Sequence, residues 1–464
     1  MLLALTGSCR RWRAIALADP ILWTNIFADV MSPDLMRTHL ERSAGLPLDV
    51  VITDPHPMIH SILCNEAHRF GRFIVHDMKL SPIWADAFPQ AAPKLEELRI
   101  DANPNYPSLG FLVPIFNGSL PKLRSLQLRN VPFWSTGMFQ GLTHLEFLDG
   151  VQTLPLFIPL VLDVIHASPL LETLSIESRC ILSDPRYVCN VAPLPNLRRL
   201  RVASDAVSQF LHLIDVPPST NIEIIRSFCQ VAEPGINALS CLHAGLPWID
   251  FLDGTEDVTI LLGTNVMTVK MKNHHGGVIT IDIKDVPVGT PWLDDVIPPP
   301  YSPLLINAFD AMSRFTSLKS TSSLSVIIPE GARGPLLYTA VEGFTSQTWR
   351  CLLQNLENLT SLAVPLPFAL LPIQVLILSS SSFTMVCPRL EKVSIATDIP
   401  ADEVHDEQLR RITKLVEARH DAGLPLSSLD VDVSVATPLS KQVRAEYTKI
   451  WGASVEAVTF SVRF

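Results

Sequence analysis

A short phrase, Leu-x-x-Leu-x-Leu with aliphatic substitutions, returns along the chain and constrains its fold more than any other feature. It reads Leu95-Glu96-Glu97-Leu98-Arg99-Ile100 and then Leu123-Arg124-Ser125-Leu126-Gln127-Leu128. Looser copies run from Leu142 to Leu148, from Leu171 to Ile176 and from Leu197 to Val202, and Pro93, Pro121, Pro169 and Pro195 each stand two residues ahead of a copy. With Leu95, Leu123, Leu145, Leu171 and Leu197 taken as equivalent, the spacings are 28, 22, 26 and 26 residues. Repeats of roughly 20–29 residues with this phrase characterise leucine-rich arrays, in which each turn ends in a strand.

The geometry of a strand explains the pattern. The last two apolar positions of each copy are two apart and so point to one side, while the residue between them points to the other. Stacked turns would bury the apolar side of a parallel sheet and align the intervening residues on the open side. Arg99, Gln127 and Arg201 are therefore candidate residues for holding a protein target, with Ser175 in the same row. The competing arrangement is a set of unrelated strands in a compact α/β fold.

The pattern fades and then returns. Leu356 to Val364 fits it, as does Pro388 to Ile395. A helix is predicted from about Asp402 to Asp421, with Val404, Leu409, Ile412, Leu415, Val416 and Arg419 on its inner stripe and Gly423 as its stop. Leu426 to Val431 reads as a further strand, reached by a right-handed crossover, and the alternation of Val458, Phe460, Val462 and Phe464 predicts a closing strand. Between about 225 and 345 the array is interrupted. Val258–Leu262, Val266–Met271 and Val278–Ile283 read as strands, with Asn273-His274-His275-Gly276-Gly277 as the turn between the last two. They form an antiparallel hairpin that either projects from the array or widens it. Pro287 to Pro303 reads as an exposed loop, and Thr321 to Ile328 as one further strand.

The first fifty residues are of another kind. Leu5, Cys9, Trp12 and Ala16 share one helical face; Pro20 ends the helix, and Ile21-Leu22-Trp23 adds a short apolar hook. The string Cys9-Arg10-Arg11-Trp12-Arg13, the hook, Met36 to Ser43 ending in Glu41-Arg42-Ser43, and Leu46-Pro47-Leu48-Asp49-Val50 together resemble F-box-like proteins of mushroom-type fungi. The matching part is the second half of an F-box; the Leu-Pro-x-Glu-like first helix of the complete module has no counterpart here. The resemblance implies a substrate-recruiting adaptor of a Skp1–cullin-type ubiquitin ligase. Trp12, Ile15, Pro20, Leu22 and Trp23 would then face a Skp1-like linker protein, and the repeat array would face the target. Some of the five could instead fasten the helix to the array, making the segment an N-terminal cap on a scaffold with no ubiquitin role.

Composition narrows the alternatives. The 464 residues are 47% hydrophobic and only 18% charged, with a mean hydropathy of +0.28, which suits a large buried core rather than a disordered chain. The 38 prolines point to many short segments. A net charge of −10 argues against a general affinity for nucleic acid. The longest apolar run, Pro365 to Leu378, is shorter than the roughly 18 residues a membrane span needs, and no secretory leader is evident at Met1. The eight cysteines lack metal-ligand or paired spacing. Free thiols in a reducing cytoplasmic or nuclear setting are expected.

Sites for chemistry are sparse. His274 and His275 are adjacent on a turn and are expected to point apart, with no third ligand near. Gly331-Ala332-Arg333-Gly334-Pro335 lacks the Lys-Ser/Thr of a phosphate loop. Asp294-Asp295 reads as a turn, and Asp402-Glu403, with His405 and Asp406, as the acidic start of a helix. No catalytic set, cofactor site or metal site is expected, and the chain reads as a non-enzyme. The expected fold is α/β: a leucine-rich-repeat-like solenoid over 51–464, with an F-box remnant over 1–50 and the hairpin insertion.

Overall fold

Each copy of the leucine phrase folds as a strand, and in five of the copies a proline ahead of it sets the turn that delivers it. In the computed structural model the Leu95 N–H donates to the Ala92 carbonyl at 3.1 Å, and Leu123, Leu171, Leu197 and Leu390 do the same to Leu120, Ser168, Leu194 and Cys387. Pro93, Pro121, Pro169, Pro195 and Pro388 therefore occupy the second position of a four-residue turn, where their fixed φ is favourable. The structure describes residues 7, 9–53, 57–78, 88, 90–102, 115–131, 139–148, 156–178, 181–182, 190–204, 207–229, 254–262, 266–286, 316–328, 346–365, 369–380, 386–397, 404–434 and 440–463. The loop expected at Pro287–Pro303, the glycine-rich Gly331–Pro335, Asp294-Asp295 and Asp402-Glu403 lie outside them.

The fold is mixed α/β, built on mostly parallel sheet, and divides at Pro217/Pro218 into two compact units. Unit 1 contains β1 (Asn25–Phe27), β2 (Leu48–Ile52), β3 (Phe70–Met78), β4 (Glu97–Ala102), β5 (Ser125–Arg129), β6 (His144–Leu148), β7 (Leu156–Phe157), β8 (Thr173–Glu177), β9 (Ile181–Leu182), β10 (Ala192–Pro193), β11 (Arg199–Ala203) and β12 (Ile214–Asp215). Strands β1-β2-β3-β4-β5-β6-β8-β11 pair in that order, all parallel. Two small parallel pairs, β7 with β9 and β10 with β12, lie apart from this ladder.

Register places like with like. Leu98, Leu126, Leu145, Leu174 and Leu200 are neighbours across β4, β5, β6, β8 and β11, as are Ile100, Leu128, Phe147, Ile176 and Val202. All ten are buried. This register corrects one equivalence: Leu142, not Leu145, matches Leu95, Leu123, Leu171 and Leu197, so the spacings become 28, 19, 29 and 26. A second motif recurs with the leucines. One carbonyl per turn accepts two successive N–H groups of the next: Glu96 from Arg124 and Ser125, Arg124 from Thr143 and His144, Thr143 from Glu172 and Thr173, Glu172 from Arg198 and Arg199. Both lone pairs of these carbonyls are thereby used.

The boundary expected near residue 50 is not a break in the ladder, because β1 and β2 are its first two strands. Phe70 and Phe73 of β3 pack with Phe88 and Phe116, ring centroids 5.0–6.1 Å apart, a geometry that adds to plain burial.

Unit 2 contains β13 (Asn221–Cys229), β14 (Thr255–Leu262), β15 (Val266–Asn273), β16 (Val278–Val286), β17 (Ser323–Ile327), β18 (Ser361–Pro365), β19 (Lys392–Thr397), β20 (Ser428–Ser434) and β21 (Ala457–Arg463). Their order is β13-β16-β15-β14-β17-β18-β19-β20-β21. The expected insertion is thus part of the sheet. Strands β14, β15 and β16 form an antiparallel meander whose outer members pair in parallel with β17 and β13, so the hairpin widens the ladder instead of projecting from it. Asn273 fixes its turn, its Oδ1 accepting from the His275 and Gly277 N–H groups at 3.1 and 2.9 Å. The carbonyl motif returns at Ser322, Thr360 and Glu391.

Helices Ser346–Gln354, Leu370–Ser380, Val404–Asp421 and Lys441–Trp451 link the unit 2 strands. On the third, Leu409, Ile412, Leu415, Val416 and Arg419 are buried as the stripe requires. Gly423, at φ +74°, ends it: the Gly423 N–H donates to the His420 carbonyl and the Leu424 N–H to the Arg419 carbonyl, both at 2.9 Å.

Candidate functional site

The three residues singled out on the open side of the strands come together in one groove of unit 1. Arg99, Gln127 and Arg201 line it with Glu146, Ser175 and Arg129, and its volume is about 310 Å³. The ladder explains the convergence. Arg99, Gln127, Glu146, Ser175 and Arg201 hold one register position on β4, β5, β6, β8 and β11, so they form a straight row across five strands. Adjacent members are roughly 4.8 Å apart at the backbone.

Asp101 organises one end of the groove. Its Oδ2 accepts from Arg99 Nε at 3.2 Å and Nη2 at 3.0 Å, and lies 2.8 Å from His76 Nδ1. Arg129 Nε stands 3.8 Å from Oδ1. One carboxylate thus orients three side chains from β3, β4 and β5. Asn130 locks the strand ends beside it. At φ +53° it donates its backbone N–H to the Leu148 carbonyl at 2.9 Å and its side-chain amide to the Ala102 carbonyl at 3.1 Å; Asn tolerates this left-handed conformation better than most residues.

Glu146, Glu177 and Arg129 were not among the sequence candidates. The row rule alone would have found Glu146, since it is the intervening residue of the third copy. Misplacing that copy's first leucine hid it.

The N-terminal candidates separate into two groups. The helix Arg10–Ala18 starts at Cys9, whose Sγ accepts from the Trp12 N–H at 3.5 Å. Asp19 then caps a single turn over Pro20–Trp23, its Oδ1 accepting from the Ile21 N–H at 3.1 Å. Trp23 is only 2% exposed: its Nε1 donates to the Ala16 carbonyl at 2.7 Å, and its ring meets His39 edge-on at 4.9 Å beneath the Arg42 guanidinium at 4.5 Å. Trp23 is therefore the clamp that holds the first helix, not a surface anchor. Pro20 and Leu22 are half-buried beside it. Trp12 and Ile15, three apart on one face, stay 54% and 46% exposed, and Ile21 and Phe27 are 66% and 50% exposed. His39 is buried with Nδ1 unpartnered. Its pKa is lowered, first by burial and also by the Arg42 charge, against carbonyls of Trp23 and Asn25 that raise it.

Elsewhere the described residues offer little for catalysis. His274 and His275 do not point apart, their ring centroids being 3.8 Å from each other, yet no group of three metal-ligating side chains occurs among the described residues. Burial pushes the Cys387 thiol up to about 12 despite Arg419 nearby, the reverse of a reactive cysteine. Arg419, 1% exposed, donates from Nη2 to the Leu390 carbonyl at 2.9 Å and from Nη1 to the Cys387 carbonyl at 3.4 Å; burial lowers its pKa. It holds a turn in place. Among the described residues no helix is long and apolar enough to cross a membrane.

No family model matches the chain, and no curated protein matches it significantly.

Proposed function

We propose that the chain is a substrate-recruiting adaptor of a Skp1–cullin-type ubiquitin ligase. Its N-terminal segment docks on a Skp1-like linker protein, and its ladder, a leucine-rich-repeat-like solenoid, holds a protein target in the groove. The chain itself catalyses nothing; it raises the effective concentration of the target near the ligase. Such a role belongs in the cytoplasm or nucleus. The observation that carries the reading is the exposure of Trp12 and Ile15 on a helix that already has a buried clamp. Ala16 and Trp23 suffice to seat the helix, so the outward apolar pair has no work within unit 1, and exposed Trp is typical of interface anchors.

A second reading is favoured by Trp23 itself: a helix clamped at the first strand could serve only as a cap on a protein-binding scaffold. It explains Ala16 and Trp23 but leaves Trp12 and Ile15 unexplained. Titration of the full chain with a purified Skp1-like linker protein separates the two. The adaptor reading expects saturable binding that Trp12→Ala with Ile15→Ala weakens about 30-fold, the effect of losing roughly 2 kcal/mol at a hot spot. Absence of binding, or binding unchanged by the double substitution, leaves the scaffold reading in place.

A further inference from the structure

The row across the groove carries a charge pattern that specifies a ligand. Arg99 and Arg201 stand at its two ends, Glu146 at its centre, and the uncharged Gln127 and Ser175 between them. Glu146 is half-buried and forms no ion pair among the described residues, whereas Arg99 gives two N–H donors to Asp101. A guanidinium has five donors, so Arg99 is oriented by Asp101 and still has donors for an incoming carboxylate. Arg129, Arg199 and Glu177 line the groove beside the row, and the central carboxylate is left without an ion-pair partner among the described residues.

We infer that the groove binds an extended, mixed-charge peptide segment, acidic at both ends and basic in the middle, laid across the strands. Four strand spacings separate Arg99 from Arg201, about 19 Å at the backbone, with Glu146 about halfway. A peptide in the polyproline II conformation advances about 3.1 Å per residue with three residues per turn, so its first, fourth and seventh side chains face the same wall over about 19 Å. Acidic side chains at the first and seventh positions therefore meet the arginines, and a lysine or arginine at the fourth meets Glu146. Gln127 supplies an amide that can both donate to and accept from the peptide backbone between the charged positions, while Ser175, buried at the groove floor, leaves room for the chain to pass. The pattern is symmetric end to end, so either chain direction satisfies it. This inference rests on the reading of the groove as the target-holding face.

The test uses the full chain and end-blocked fluorescent heptapeptides, Glu-Gly-Ser-Lys-Ser-Gly-Glu and its charge-inverted partner Lys-Gly-Ser-Glu-Ser-Gly-Lys, in polarisation titrations at low salt. Acid-ended peptide should bind at least about tenfold tighter, three exposed ion pairs each contributing modestly. Glu146→Lys should shift the preference to Glu-Gly-Ser-Glu-Ser-Gly-Glu, and the milder Glu146→Gln should remove discrimination at the fourth position. Equal binding of the inverted peptide, a preference untouched by either substitution, or no binding of any peptide overturns the inference. None of those results bears on Trp12 and Ile15, so the linker titration decides the adaptor reading separately.

Discussion

The two units of this chain use the same inner faces and present different outer ones. In unit 1 the central outward row runs Arg99, Gln127, Glu146, Ser175, Arg201. The matching row in unit 2 runs Ser325, Ala363, Ser394, Asp430, Thr459. Behind the first stand Leu98, Leu126, Leu145, Leu174 and Leu200; behind the second stand Leu324, Leu362, Val393, Leu429 and Val458, of which the first four are buried as well. Apolar residues in the repeat therefore build the scaffold, and the residues between them, which the scaffold does not dictate, decide the chemistry. One unit carries large charged side chains that frame a groove. In the other, four of the five residues are small and uncharged.

The largest test of that comparison lies in unit 2. Trp451 is fully buried, its Nε1 donates to Thr413 Oγ1 at 2.9 Å, and its ring stacks on Phe460 at 5.6 Å. Trp451→Ala should destabilise by about 3–5 kcal/mol. If the units are energetically separate, hydrogen exchange will accelerate in β20, β21 and the helix Val404–Asp421 and stay unchanged in β4 to β11. Acceleration in both would show one cooperative block.

Next in size is a contrast within one strand. Leu145→Ala removes a fully buried leucine from the centre of the unit 1 ladder and should cost about 2–5 kcal/mol. Its neighbour Glu146→Ala should change stability by no more than about 0.5 kcal/mol while altering peptide discrimination in the groove. Denaturant melts of the two variants would erase the division between scaffold and chemistry if their losses were similar.

How much of this was legible depends on periodicity. The period-two strands at Leu98, Leu126 and Leu200 were readable because one face of each is buried and the other is not; at Leu174 the pattern holds in residue type, although Ser175 on the other face is buried too. The row containing Arg99, Gln127 and Arg201 followed from the same rule, and so did the helix ending at Gly423. The helix Leu370–Ser380 was not readable: it is apolar all round, and a sequence without a polar face has no helical period to detect. Leu145 was assigned to the wrong place because the third copy is 19 residues from the second and has glycine, Gly141, where the others have a residue following proline. The role of Trp23 was hidden for another reason. A tryptophan on a hook looks the same in sequence whether it faces a partner or its own chain, and only the carbonyl of Ala16, seven residues back, decides the matter.

The smallest expected effect concerns that clamp and depends on pH. His39 stacks its edge on Trp23 in a buried setting that lowers its pKa, with Arg42 adding to the penalty for a second positive charge. Because the folded protein holds this imidazole neutral more strongly than the unfolded chain does, the unfolded state binds more protons as pH falls below the ordinary histidine value of about 6.5. The contribution of the clamp is thus complete above that value and declines as pH drops through it toward the lowered folded value. His39→Phe keeps an edge-on ring and removes the titration. The difference in melting temperature between the two proteins should therefore be flat above about pH 7 and drift in favour of the variant from about pH 6.5 downward. A difference independent of pH across that window would show that His39 is not what ties the first helix to proton concentration, and would leave the Nε1 bond of Trp23 to Ala16 as the clamp's working part.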